Sequence, residues 1–100
     1  MSGPGAIARA VALVPAATQQ VAAAGTSGYW CGLVVRETSA AALVLRVWDG
    51  PVGTGILIDI VSLAANGVDR TLGTRPVFFA NGVIIERVSG TNYEGSARVA

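Results

Sequence analysis

From residue 29 onward the chain is a series of short apolar or alternating runs separated by Gly, Asn, Pro and Ser. Alternation with a period of two is the mark of a β-strand, because successive side chains leave opposite faces of the backbone. Residues 29–36 are rich in aromatic and branched side chains and predict a strand. Residues 43–48 predict the next, with Leu43, Leu45 and Val47 on one face and Val44, Arg46 and Trp48 on the other. Ile56, Ile58 and Ile60 then alternate with Leu57, Asp59 and Val61. Residues 83–88 and 93–99 predict two further long strands.

The connections read as turns. Asn66-Gly67 and Asn81-Gly82 are strong hairpin signals, since both residues tolerate the positive φ of a type I′ turn. They sit in like strings, Ala65-Asn66-Gly67-Val68 and Ala80-Asn81-Gly82-Val83, which suggests one turn solution used twice. The first is expected to join strand 57–63 to 68–72, and the second to join 77–79 to 83–88. Asp49-Gly50 opens a longer loop to Gly55, and Gly90-Thr91-Asn92 turns into the last strand.

The first 28 residues are less regular. Ile7, Arg9, Val11 and Leu13 alternate with alanines, which favours an extended segment, although the Ala content also allows a short helix. Pro15 ends either form, and residues 18–24 read as another strand closed by Gly25-Thr26-Ser27-Gly28. The pattern predicts an all-β chain: an antiparallel β-sandwich of about seven to nine strands, jelly-roll-like or immunoglobulin-like, over residues 18–100. Residues 1–17 are expected to form an extended N-terminal arm.

Composition adds a second expectation. The 100 residues are 52% hydrophobic and 13% charged, against about 25% charged in ordinary soluble domains. Several strands are apolar on both faces, so one face is expected to line the core and the other to meet a second chain. A homo-oligomer, a trimer first, is the expected assembly. The net charge of +1 is spread over seven arginines with no Lys, which gives no basic face for nucleic acid. Met1-Ser2-Gly3-Pro4-Gly5 lacks the basic start of a secretory leader. The apolar stretch 6–14 is broken by Arg9 and is far short of the roughly 20 residues of a membrane span. No membrane partner is expected.

Candidate chemistry is sparse. The chain has no His, which excludes a Ser-His-Asp triad and leaves Cys31 without a base. Cys31 is the single cysteine, so no intrachain disulfide is possible, and it is expected to pack as a small hydrophobe. Gly50-Pro51-Val52-Gly53-Thr54-Gly55 has the look of a phosphate loop but lacks the following Lys and leads into a strand. Asp49, Asp59 and Asp69 are evenly spaced, yet calcium loops gather their ligands within about 12 residues. Asp49 is expected in a turn and Asp59 on a strand face. Glu37, Glu86 and Glu94 are expected on solvated rims or beside Arg. No catalytic residue, metal or cofactor is expected, and the protein is not expected to be an enzyme. Of the adjacent aromatics Tyr29-Trp30 and Phe78-Phe79, one of each pair should point inward and the other outward. Outward aromatics anchor interfaces or stack on sugars.

Four segments carry a resemblance: Gly28-Tyr-Trp-Cys-Gly-Leu-Val-Val-Arg-Glu-Thr-Ser-Ala40, Leu45-Arg-Val-Trp-Asp-Gly50, Val61-Ser-Leu-Ala-Ala-Asn-Gly67 and Val88-Ser-Gly-Thr-Asn-Tyr-Glu-Gly-Ser96. Over about residues 18–100 the chain resembles small β-sandwich proteins encoded among the virion structural genes of tailed bacteriophages. The motifs are structural rather than catalytic. The resemblance implies a virion component: a capsid decoration (cement) protein on the outer surface of the head, with the major capsid protein as partner, or a tail-fibre or receptor-binding module recognising host glycans.

The expected contact residues are Ile7, Val11 and Leu13 on the arm, added as a strand along a neighbour, the loop Thr74-Arg75-Pro76 with Phe78 next to it, Arg75 pairing with a carboxylate on the shell, and Trp30 or Trp48 if one forms a stacking platform. Removing residues 2–14 is expected to detach the protein and leave the sandwich folded.

Overall fold

The structure is a computed structural model and describes residues 8–70 and 76–100. Among the described residues, nine strands form two packed antiparallel sheets. They are β1 (Arg9–Ala12), β2 (Thr18–Ala22), β3 (Gly28–Glu37), β4 (Leu43–Asp49), β5 (Ile56–Leu63), β6 (Val68–Arg70), β7 (Val77–Phe79), β8 (Val83–Ser89) and β9 (Tyr93–Val99). One sheet runs β1-β9-β3-β6 and the other β2-β8-β4-β5. Strand β7 pairs with residues 28–30 of β3, and β6 with residues 34–36. Trp30 pairs with both Val77 and Val99, and Val34 with both Arg70 and Ser96, so β6 and β7 share the edge of β3 that β9 leaves open. Counting β6 and β7 as one interrupted strand, this is the eight-strand order of a jelly roll. The immunoglobulin-like alternative is set aside, because that fold divides its strands differently between its sheets.

The core follows the alternation. Leu43, Leu45 and Val47 of β4 point inward with Val83 and Ile85 of β8, against Leu33 and Val35 of β3 and Ala97 and Val99 of β9. These side chains give the sandwich its main stabilisation, roughly 1.5–3 kcal/mol for each large aliphatic residue removed from water. Bulges then re-aim particular residues. In β3, an extra residue between Trp30 and Leu33, with Gly32 at φ +97°, turns Trp30 and Leu33 both inward. In β5, Trp48 faces Leu57 and Val47 faces Asp59, which leaves Ile58 as the extra residue. The strict alternation of Ile56, Ile58 and Ile60 therefore breaks: Ile58 packs on the core and Ile60 emerges on the outside.

Neither Asn-Gly pair makes a hairpin. Residues 64–67 carry the chain from β5 in one sheet to β6 in the other, and residues 80–82 carry it from β7 back to β8. A type I′ turn needs positive φ at both central residues. Here only one residue of each pair has it, Asn66 at +61° and Gly82 at +83°. Among the described residues the sequential hairpin is β4–β5, closed by the loop after Asp49-Gly50.

The N-terminal segment is also placed differently. Residues 9–12 pair with β9 as an edge strand, and Leu13 is in the core, its N–H donating to Gly95 (3.0 Å). Removing residues 2–14 would take away an edge strand and a core side chain, so that deletion cannot serve as a clean test of an anchor.

Candidate functional site

Among the described residues, the two wholly or nearly buried carboxylates, Glu37 and Asp49, are structural clamps. Glu37 ends β3 with no exposed surface, correcting its expected place on a solvated rim. Its Oε1 accepts from the N–H groups of Asn66 (2.8 Å) and Ala41 (3.2 Å). Its Oε2 accepts from the N–H and hydroxyl of Ser39. Burial pushes the Glu37 carboxyl up, but the bonds from Asn66, Ser39 and Ala41 outweigh it and hold the pKa at about 2. Asp49 ends β4, and its carboxylate accepts from Ala80 N–H (3.1 Å to Oδ2) and Asn81 N–H (2.9 Å to Oδ1). Each clamp thus holds one of the two Ala-Asn-Gly-Val turns where the chain enters the clamp's own sheet. A backbone bond closes each joint: Glu37 N–H to Gly67 (2.9 Å) and Gly50 N–H to Gly82 (3.3 Å).

A cavity of about 350 Å³ opens between β1 and β2, lined among others by Arg9, Thr26, Ser27 and Phe79. Its lining side chains offer one cation and two hydroxyls in a mostly apolar wall. Cys31 is half-buried on the outer side of β3 rather than in the core, and burial pushes its thiol up, away from the reactive thiolate.

The residues expected to make contacts do not form one site. Ile7, Thr74 and Arg75 lie outside the described residues. Val11 is half-buried against the core. Leu13 belongs to the core and cannot lie along a neighbour. Trp30 cannot be a stacking platform: it is 3% exposed, and its Nε1–H donates across the core to Asp59 Oδ2 (3.3 Å). Its neighbour Tyr29 takes the outer position instead.

Two outward aromatic sites remain, on opposite faces. On the β1-β9-β3 sheet, Phe78 is 58% exposed and meets Tyr29, 38% exposed, edge to face at 5.8 Å. These two are direct cross-strand partners. The inward partner of each is the adjacent Phe79 or Trp30, so the alternation that buries one ring of each pair exposes the other. On the β2-β8-β4-β5 sheet, Trp48 is half-buried between Ile84 and Leu57, its cross-strand partners. Its Nε1–H donates to Glu86 Oε1 (3.0 Å). Ile60 beside it is 54% exposed and lies opposite Arg46. Sequence reasoning missed Tyr29 and Ile60 as surface partners, while Glu86 lies beside Arg46 on the neighbouring strand, one of its two expected places. The Tyr-Trp order was a signal that one ring faces out, but the bulge at Ile58 left no mark in the alternation.

Comparison with protein-family models, with curated proteins and with solved structures gave no match.

Proposed function

We propose that this protein is a phage capsid decoration protein that binds the outer surface of an assembled head and stabilises it. The exposed Tyr29–Phe78 pair carries this reading. Two aromatic rings held on a rigid sheet lose little conformational freedom on docking and suit the anchor position of a protein interface. The jelly-roll order, which viral capsid domains use, and the resemblance carried by the four sequence segments support the same reading. The action is mechanical: a protein that binds only the assembled lattice stabilises it by mass action, and each boundary it bridges must be broken before the shell opens. Trp48 is half-buried and its indole N–H is already taken by Glu86, which leaves a sugar less open ring face than Tyr29 or Phe78, so the glycan-binding alternative has less support.

Quantitative mass spectrometry of purified virions tests this. A copy number that scales with the major capsid protein is expected. A few copies per particle would point to a tail adhesin, and absence would overturn a virion role. Phe78→Ser should lower occupancy on heads while leaving the far-UV circular dichroism of a β-protein intact.

A further inference from the structure

The outer face of the β2-β8-β4-β5 sheet is complementary to itself. Its rows can be read from the register. One runs Gln20–Ile84–Trp48–Leu57, and the next runs Thr18–Glu86–Arg46–Ile60. The first row is mostly apolar and the second has one anion and one cation at its centre, side by side on β8 and β4. Glu86 receives the Trp48 indole, and Arg46 stands exposed.

We infer that this face binds a second copy of the same chain across a two-fold axis parallel to the strands and midway between β4 and β8. The axis follows from the charges. Rotation about it keeps each row level with itself but exchanges β4 and β8, so Arg46 of one copy meets Glu86 of the other, twice. The same rotation sets Trp48 against Ile84 in both directions. An axis across the strands would instead lay Arg46 over Arg46 and Glu86 over Glu86 when these rows overlap. An isologous contact needs one self-complementary patch, whereas a three-fold ring needs two different ones. The charge pattern therefore favours a dimer over the trimer expected from composition. Aligned packing of two twisted sheets suits the geometry, since strands there cross at only about 30°.

The area sets the size class of the contact. Four strands about 4.8 Å apart and seven residues at about 3.3 Å each make a face of about 440 Å² per copy. Twice that lies below the roughly 1,200 Å² at which stable complexes begin. The face therefore belongs with weak, reversible contacts rather than obligate ones. Edge-to-edge pairing through β5 is the weaker alternative for a second copy. Asp59 turns inward there, and its carboxylate takes up the N–H of Ile60 (2.9 Å) and the indole of Trp30, a bulge and inward charge of the kind that blunts an edge.

Sedimentation equilibrium of the full chain from about 1 to 200 μM, a range bracketing weak association, tests the inference. A monomer–dimer equilibrium weakened by salt is expected. Arg46→Glu, which sets carboxylates against each other, should weaken it at least about tenfold. Glu86→Arg should do the same, and the double exchange Arg46→Glu with Glu86→Arg should restore most of the loss. Circular dichroism checks that each variant is folded. A wild-type monomer throughout the range, a trimer, or a dimer indifferent to both single exchanges would overturn the inference. Phe78→Ser should leave the dimer untouched, so failure of the dimer and failure of head binding are read separately.

Discussion

The two Ala-Asn-Gly-Val turns have the same sequence and the same task, to carry the chain from one sheet to the other, but different supports. In the first, Asn66 takes the left-handed conformation, and Glu37 gathers the turn together with the loop 39–41. In the second, Gly82 takes it, and Asp49 holds Ala80 and Asn81 alone. The bond from Gly82 N–H to Thr26 (2.7 Å) brings in the β2–β3 loop as well. The pair of joints shows that a dipeptide sets which φ values are easy, while the carboxylate waiting at the strand end decides which residue uses them.

The comparison breaks hardest at Glu37. Replacing it with Ala leaves the N–H groups of Ser39, Ala41 and Asn66 without their acceptor inside the fold. It also frees Ala40, held at φ +56° between two of those donors. Glu37→Ala should lower the melting temperature more than any change at the second joint. The pH dependence follows the same group. Its folded pKa of about 2 lies below the ordinary 4.5, so the stability it adds is present above about pH 4.5 and is lost as pH falls toward 2. Thermal melts between pH 6 and 2 should show this slope in the wild type and a flatter one in Glu37→Gln.

At the second joint the backbone is the weak point. A Cβ on Gly82 would lie 2.5 Å from the carbonyl oxygen of Ala23 and 2.8 Å from that of Ala22, at a φ of +83°. Both contacts are backbone and neither can swing away. Gly82→Ala should cost about 3 kcal/mol or more, from left-handed strain and the clash together. Asp49→Ala should cost less, about 2 kcal/mol, for the unsatisfied N–H groups of Ala80 and Asn81. Urea melts would measure both, and an Asp49 variant more damaging than the Glu37 one would reverse the ranking of the clamps.

Most strands were legible because alternation is a local property. Strand β9 has the bounds expected from sequence, and β3, β4 and β8 differ by a residue or so at their ends. What sequence left out is what depends on partners far along the chain. Nothing local says that the strand after an Asn-Gly pair joins the opposite sheet, so both turns read as hairpins. Glu37 reads as a surface residue because its donors include Asn66, 29 positions away. Trp30 and Tyr29 differ only in which side the β3 bulge and register assign them. Of the contact surface, Phe78 and Trp48 were legible as outward aromatics, while the Arg46–Glu86 pairing needs the β4–β8 register.

The smallest effect sharpens the comparison most. Asn66 has φ +61°, whereas Asn81 does not lie in the left-handed region. Alanine pays roughly 1–2 kcal/mol to enter that region, and Asn less because its short polar side chain bonds locally. Asn66→Ala should therefore cost about 1 kcal/mol. Asn81→Ala should stay within about 0.5 kcal/mol, since its backbone N–H still donates to Asp49 and no left-handed strain arises. Asn66→Gly offers the control: glycine relieves the φ requirement but adds entropy to the unfolded chain, by about 0.5–1 kcal/mol relative to Ala, so it should fall close to the wild type. Equal losses for the two Asn→Ala variants in urea melts would mean that the turns behave as copies, and that the division of labour between Asn66 and Gly82 has no energetic weight.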